Sequence, residues 1–241
     1  MSGWRAGAAW RSHPAARVGG VLLGATALWL LGPHLLRHVG FFRVRQIELV
    51  GVRYLAPGAV IGGLRLATGA SVFDATGPLT ERLRALPGVA DARVVRRFPG
   101  ALKVILREVE PVALVPGSGG APLSVVDGSG RPLPYDPSRV AVDLPVAASA
   151  DSGLCGVLAL AQSVDPTFFE TITAARLTRG DVVMQLGPRR LLLERDAGPE
   201  VIRAVVLVTQ DLAARERPYG ELDARYAGQV VVRRGKVGGR T

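Results

Sequence analysis

The side chains best suited to acid–base or nucleophilic chemistry are scarce in this chain and poorly placed for it. Its three histidines, His13, His34 and His38, all lie near the N-terminus, and residues 43–241 contain none. This excludes Ser-His-Asp and Cys-His catalysis from residues 43–241, along with histidine-based metal sites. No glycine-rich phosphate loop of the required form is present either. We therefore expect no catalytic residue, no bound metal and no cofactor.

Two carboxylates and one thiol remain as candidate reactive groups. Glu108 and Glu110 stand two apart in a strand-like run, so they would share a face of that strand. Glutamates at a strand end are usually solvated, and we favour that interpretation over a catalytic pair. Cys155 is the only cysteine, so an intrachain disulfide is impossible. It lies in the apolar run Leu154–Leu160, which predicts a buried, unreactive side chain.

One apolar stretch determines where the rest of the chain has to work. Val18–Leu36 carries no charge and matches the ~20 residues that a helix needs to cross a bilayer. A cleaved signal peptide would have a shorter apolar region followed by small residues, so an uncleaved anchor is favoured. Arginines precede the stretch and place the N-terminus in the cytoplasm by the positive-inside rule. We predict a cytoplasmic tail over 1–17, a transmembrane anchor over 18–39, and a single-pass protein of the inner membrane with its bulk outside the cytoplasm.

The net charge of +10 at first suggests nucleic acid as a partner. Six basic residues with no acid among them flank the apolar stretch: Arg5, Arg11, Arg17, Arg37, Arg43 and Arg45. The remaining chain from residue 46 carries only +4, and most of the excess lies where it can meet anionic lipid. No tryptophan follows Trp29. These observations disfavour a nucleic-acid binder.

The soluble region begins with a β-α-α-β-β pattern. Val44–Val50 alternates as a strand does, and Pro57 and Pro78 each open a short helical stretch. Val89–Arg97 and Ala101–Arg107 then form two strands around a Phe98-Pro99-Gly100 turn. A three-stranded sheet with two helices on one face would bury the apolar side of each element.

The second region is predicted to be largely antiparallel sheet with one long helix, so the fold class is α+β. Short strands flank the turns Asp127–Gly130, Gly187-Pro188 and Ala227-Gly228, which predicts three hairpins. Residues 154–163 fit a further short helix. Pro199 opens a strong helix that continues to about Arg215, with apolar residues along one face.

Three stretches follow one another in the order of a known domain and its continuation. Phe42–Gly51 resembles the F-x-V-x-x-I-x-V-x-G opening of a POTRA domain, and Leu86–Pro99 resembles its second half. Glu108–Ala113, followed by Val126–Gly128, resembles the transition that follows such a domain. In this order the stretches resemble the FtsQ/DivIB family of bacterial cell-division proteins, and Leu222–Tyr226 also resembles that family's D-L-R-Y strand. The resemblance predicts a POTRA-like domain over 42–111, a β-rich FtsQ-type domain over 112–234, and a tail over 235–241.

The resemblance implies a non-enzymatic scaffold of the divisome at the division septum. Such a scaffold would recruit the small bitopic proteins FtsB and FtsL and link early division proteins to septal peptidoglycan synthesis. The alternatives are a membrane-anchored wall hydrolase and a generic POTRA-containing envelope interaction protein.

The last strand is the predicted partner-binding site. If Gln229–Arg234 lies at a sheet edge, it could pair with an incoming strand; the alternative is that its valines are core residues of a closed sheet. The predicted contacts are Tyr226, Gly228, Val230 and Val232, with Arg225, Arg233 and Arg234 recognising acidic groups. A second candidate surface for a partner or acidic lipid, with a solvated face as its alternative, comprises Arg93, Arg96, Arg97, Lys103 and Arg107.

Overall fold

The computed structural model describes residues 40–117, 119, 122–140, 144–226 and 228–234. The predicted anchor over 18–39, the tail over 1–17 and residues 235–241 lie outside these described residues. Among the helices that are described, none has the length and apolarity to cross a membrane.

The first half has the predicted β-α-α-β-β order. After a short 3-10 turn at Gly40–Phe42, the elements are β1 (Gln46–Val50), α1 (Pro57–Leu64), α2 (Gly77–Arg84), β2 (Val89–Arg97) and β3 (Ala101–Glu108). The strands form one sheet in the order β1-β3-β2, in which β1 is parallel and β2 antiparallel to β3. Alternation along each strand gives the sheet one buried and one open face.

Both helices pack on the buried face of this sheet. The apolar stripe of α2 contributes Leu79 and Leu83, and α1 contributes Val60 and Leu64, all of them buried. Helix α1 ends at Leu64, because Arg65 adopts a left-handed conformation (φ 46°) and its N–H bonds to the Gly62 carbonyl.

The second half is built on a nine-stranded sheet in the order β12-β11-β10-β9-β8-β7-β4-β5-β6. Its strands are β4 (Ala113–Val115), β5 (Ser124–Val126), β6 (Pro132–Leu133), β7 (Val146–Ala147), β8 (Ala174–Thr178), β9 (Asp181–Leu186), β10 (Arg189–Leu193), β11 (Glu221–Tyr226) and β12 (Gln229–Arg233). The three predicted hairpins are present as β5–β6, β9–β10 and β11–β12.

Among the described residues, five of the eight strand pairings in the large sheet are antiparallel, as the sequence predicted, and three are parallel. β4 with β7, β7 with β8, and β10 with β11 pair in parallel. Parallel neighbours need a crossover connection, and helices supply it for two of these pairs. Helices α4 (Ser152–Val164) and α5 (Pro166–Glu170) connect β7 to β8, and α6 (Pro199–Ala214) connects β10 to β11. A single turn, α3 (Pro137–Val140), precedes β7.

The two longer helices of this half bury one core against the sheet. Helix α6 runs as predicted, but α4 is a second substantial helix of 13 residues, so the expectation of a single long helix was incomplete. Asp151 caps α4 by accepting hydrogen bonds from the N–H groups of Gly153 and Leu154. Cys155 lies on the buried side of α4 and is fully buried, which confirms its predicted role as a small core residue.

The two halves share a boundary rather than being separate units. Leu114, Val125 and Tyr135 belong to the second half but pack in the core of the first sheet. The Tyr135 hydroxyl lies 2.8 Å from the carbonyl oxygens of both Gly88 and Val109. The sheets are therefore joined by apolar packing and by one shared tyrosine.

Candidate functional site

The last strand lies at an open edge of the large sheet, as the sequence predicted. Among the described residues β12 pairs with β11 alone and is the terminal strand in the sheet order. Gly228, in the turn before it, has φ of 70°, a left-handed value that glycine adopts without strain. Strand β12 therefore presents unpaired backbone N–H and C=O groups to any incoming strand.

The exposed side chains of this edge are apolar. Val231 is 37% exposed, Val232 is 41% exposed and Tyr226, at the end of β11, is 52% exposed. Val230, by contrast, packs against the core next to α6. The alternative that these valines are all core residues thus holds for Val230 and fails for the other two. Val231, which was not among the predicted contacts, joins the exposed set.

Behind this edge lies a network of ion pairs on the sheet face opposite the helices. Asp223 is fully buried, and Arg225 binds it with two hydrogen bonds, Nε to Oδ1 at 2.8 Å and Nη2 to Oδ2 at 2.7 Å. Arg225 also reaches Asp181 on β9 at 2.7 Å. The network extends along β10, β11 and β12 through Arg233–Asp223 at 3.2 Å, Arg233–Glu221 at 3.3 Å and Arg190–Glu221 at 2.9 Å.

These pairs set the protonation of the groups involved. The hydrogen bond from Arg225 lowers the pKa of Asp223 below its usual value. The bonds to Asp223, and next those to Asp181, raise the pKa of Arg225. Both groups are therefore charged at neutral pH, and each compensates the other.

This network corrects the expectation that Arg225 and Arg233 are free cations awaiting a partner's acidic groups. Both guanidinium groups are engaged by carboxylates of their own chain, so the structure gives them a positioning role for β11 and β12. Arg234 is exposed and forms no ion pair within the described residues. The sequence signal that was missed is the spacing of Asp223 and Arg225. Residues two apart on a strand share a face, so this spacing allows the two side chains to pair.

The second predicted surface is split by the sheet. Arg93, Arg97, Lys103 and Arg107 alternate on the open face of β2 and β3, with Lys103 paired to Glu48 of β1 at 3.0 Å. Arg96, the remaining member of the predicted set, does not lie on this face.

Arg96 points to the helix side of the sheet, because it lies an odd number of positions from Arg93 and Arg97, three and one respectively. Its guanidinium donates hydrogen bonds to the carbonyl oxygens of Val72 (2.8 Å) and Asp74 (3.0 Å). The prediction that Arg96 belongs to the same surface was therefore wrong.

The candidate carboxylate pair does not form. Glu108 is buried and accepts hydrogen bonds from the backbone N–H groups of Arg53 (3.0 Å), Tyr54 (2.8 Å) and Leu55 (2.9 Å). Glu110 lies beyond the strand and is exposed. The expected solvated position was wrong for Glu108, whose role is to hold the loop before α1. Within the described ranges, no three histidine, cysteine or acidic side chains come together to hold a metal ion.

The fold defines a class of protein, a POTRA-like domain followed by a β-rich domain whose last strand lies at an open sheet edge. Residues 42–108 match the family model of the FtsQ-type POTRA domain, and they are thus a POTRA domain of that type. The chain is 28% identical over 240 residues to the cell division protein FtsQ of Rhodothermus marinus, covering 88% of this chain and 82% of that protein. These findings confirm the resemblance drawn from the sequence and support a role in cell division.

Proposed function

We propose that this chain is a membrane-anchored, non-enzymatic scaffold of the division septum that recruits FtsB- and FtsL-like bitopic proteins. It would thereby link early division proteins to septal peptidoglycan synthesis. Similarity to FtsQ supports the setting, and the uncharged stretch Val18–Leu36 supports a single anchor with the N-terminus in the cytoplasm.

The open edge of β12 is the observation that carries the proposal. An incoming strand gains affinity from main-chain hydrogen bonds and specificity from side chains on alternate positions. Tyr226, Val231 and Val232 offer apolar contact area there, while Arg234 is a cation without an internal counter-ion among the described residues. The ion pairs behind the edge hold β11 and β12 in register before a partner arrives, which lowers the ordering cost of binding.

The test is capture of the extracytoplasmic segments of FtsB and FtsL by the full chain, purified in detergent, with proline placed in β12. Val231→Pro and Val232→Pro are made separately, because N–H groups of successive strand residues point to opposite sides. In one of the two variants, proline therefore removes an N–H that points away from β11. We expect this variant to keep its thermal stability and to lose capture. Val231→Thr and Val232→Thr are the matched controls, since threonine retains both the N–H and the strand preference.

Loss of capture in the stably folded proline variant, with capture retained by both threonine variants, supports strand addition at β12. Capture that survives in both folded proline variants moves the site away from this edge. Absence of capture by the unchanged, folded chain would reject the recruitment of FtsB and FtsL and leave the generic POTRA-containing interaction protein.

A further inference from the structure

One end of the POTRA sheet gathers exposed aromatic and basic side chains. Gln46 of β1, Ala101 of β3 and Arg97 of β2 lie side by side in register, so the three strands share this end. The Phe98–Gly100 turn closes it, and the Arg45 N–H bonds to the Gly100 carbonyl at 2.8 Å. The turn and the segment that enters β1 are therefore fixed to each other.

Four phenylalanines form a continuous cluster at this end. Ring centroids are 5.2 Å apart for Phe41 and Phe42, 5.0 Å for Phe42 and Phe73, and 5.4 Å for Phe73 and Phe98. The two outer rings are the most open, with Phe41 58% and Phe98 63% exposed. Two large apolar rings exposed to water side by side with a packed aromatic cluster indicate a surface that meets an apolar phase or a partner.

Arg43 and Arg45 follow Phe41 and Phe42 in the chain, and Arg97 directly precedes Phe98. All three arginines are exposed, and within the described residues none of them has a carboxylate partner; the Arg45 guanidinium donates a hydrogen bond to the Gly40 carbonyl. The nearby carboxylate of Asp74 is turned inward and accepts from the Ser71 N–H at 2.8 Å. We call Phe41, Phe98, Arg43, Arg45 and Arg97 the basic-aromatic end.

The position of the basic-aromatic end identifies its occupant. Only residues 37–40 separate Leu36, the last residue of the apolar stretch, from Phe41, a distance of about 17 Å at full extension. The interfacial layer of a bilayer is about 5–8 Å thick on each side. The second half of the chain packs at the opposite end of the sheet, where Tyr135 reaches Gly88 and Val109.

We propose that the basic-aromatic end binds the surface of an anionic membrane, with Phe41 and Phe98 in the interface and the three arginines on lipid headgroups. The inference rests on the proposed anchor, which would bring this end to the bilayer. Exposed phenylalanines beside basic residues are the pattern of interfacial binding. Docking here would orient the POTRA sheet and direct the β12 edge away from the membrane.

The test places a fluorescent reporter on the full chain in vesicles of defined lipid. Phe98→Cys is labelled with an environment-sensitive dye; the native Cys155 is buried and does not compete. The matched label is Leu207→Cys. Leu207 is 65% exposed and lies on α6, in the second half of the chain and outside the basic-aromatic end. Vesicles contain phosphatidylcholine alone or with about one third phosphatidylglycerol, and a small fraction of lipid carries a shallow acyl-chain quencher. Flotation of the chain with vesicles measures the anchor independently.

We expect the label at position 98 to be quenched in anionic vesicles and the label at position 207 to remain unquenched. Reversing Arg43, Arg45 and Arg97 to glutamate lowers the docked-to-free ratio by at least about 100-fold, because each lost basic residue accounts for about fivefold and each new carboxylate adds repulsion. Reversing Arg93, Arg107 and Arg131, which lie outside the basic-aromatic end, changes the total charge equally and leaves the quenching unchanged.

Flotation without quenching at position 98, or quenching that is equal in the two lipids, overturns membrane docking while the proposed anchor stands. Failure of the chain to float overturns both. Equal loss of quenching in the two charge-reversed variants reduces the effect to net charge and rejects this end as the binding surface.

Discussion

Asp223 and Arg225 form a bidentate ion pair on the face of β11 opposite the helices. Two donors of the Arg225 guanidinium bind both oxygens of the Asp223 carboxylate, which is fully buried. Arg233 of the neighbouring edge strand binds the same carboxylate. A buried charge left alone is costly, so this pair ties the conformation of β11 to that of β12. Ion pairs therefore hold the proposed recruiting edge, β12, against β11, while the apolar side chains of that edge are exposed.

Arg225→Ala should destabilise the protein, and by clearly more than Arg234→Ala does. Asp223 would keep only the longer bonds from Arg233 and from the backbone N–H of residue 225, and a buried charged acceptor without its main donor bears its desolvation penalty. Arg225→Lys should recover part of the loss, because lysine restores the charge but not the two-pronged geometry. Urea unfolding measures the difference, with the exposed Arg234→Ala as the control within about 0.5 kcal/mol. Equal stabilities for the alanine variants at 225 and 234 would contradict the buried pair.

Stability should fall in acid through Asp223. The pKa of this carboxyl is lowered in the folded protein by the hydrogen bond from Arg225. Its contribution is therefore complete above the unfolded value of 3.8 and is lost as the pH drops below it through the lower folded pKa. The acid loss measured between pH 5 and pH 2 should be smaller in Asp223→Asn, which has no proton to take up. An unchanged acid profile in that variant would show that other carboxylates set it.

Glu108→Gln should loosen the loop that precedes α1. The two carboxylate oxygens accept three N–H groups, and the amide nitrogen that replaces one oxygen leaves at least one buried donor without an acceptor. The expected cost is about 1–3 kcal/mol, with faster hydrogen exchange at the amides of residues 53–55. Glu110→Gln, at an exposed position two residues on, is the matched control. Unchanged exchange at residues 53–55 would refute the capping role.

Tyr135→Phe should weaken the junction between the two halves. The hydroxyl that bridges the Gly88 and Val109 carbonyls is lost, while the ring stacked on Tyr54 at 5.3 Å remains. We expect a loss of about 1–1.5 kcal/mol in the free energy of unfolding and a broader thermal transition as the halves uncouple. Tyr226→Phe removes an exposed hydroxyl and controls for the substitution. A transition as sharp and as high as the control's would place the coupling in apolar packing alone.

The sequence predicted the elements whose residues alternate or form a helical stripe, and missed what depends on distant partners. The alternation of β2 and β3 determined both strands and their faces, and glycine or proline turns located the hairpins. Ala174–Thr178 shows no such alternation, so no local pattern marks β8 as a strand. Its burial depends on pairing with β7 and β9. Glu108 is buried by N–H groups more than 50 residues earlier, a relation that no local pattern contains. The parallel pairing of β10 and β11 likewise follows from where α6 packs.

Cys155 should be inert in the folded protein. Burial in the core raises the pKa of its thiol to about 11, so at pH 8 only about one molecule in a thousand carries the reactive thiolate. A thiol reagent should therefore react at the rate of unfolding, and immediately in urea. The raised pKa stabilises the fold fully below the unfolded value of 9.0, and this contribution falls as the pH rises through 11. Cys155→Ala should remove that alkaline loss. Rapid labelling of the native chain would show that α4 opens and that its core position is not maintained.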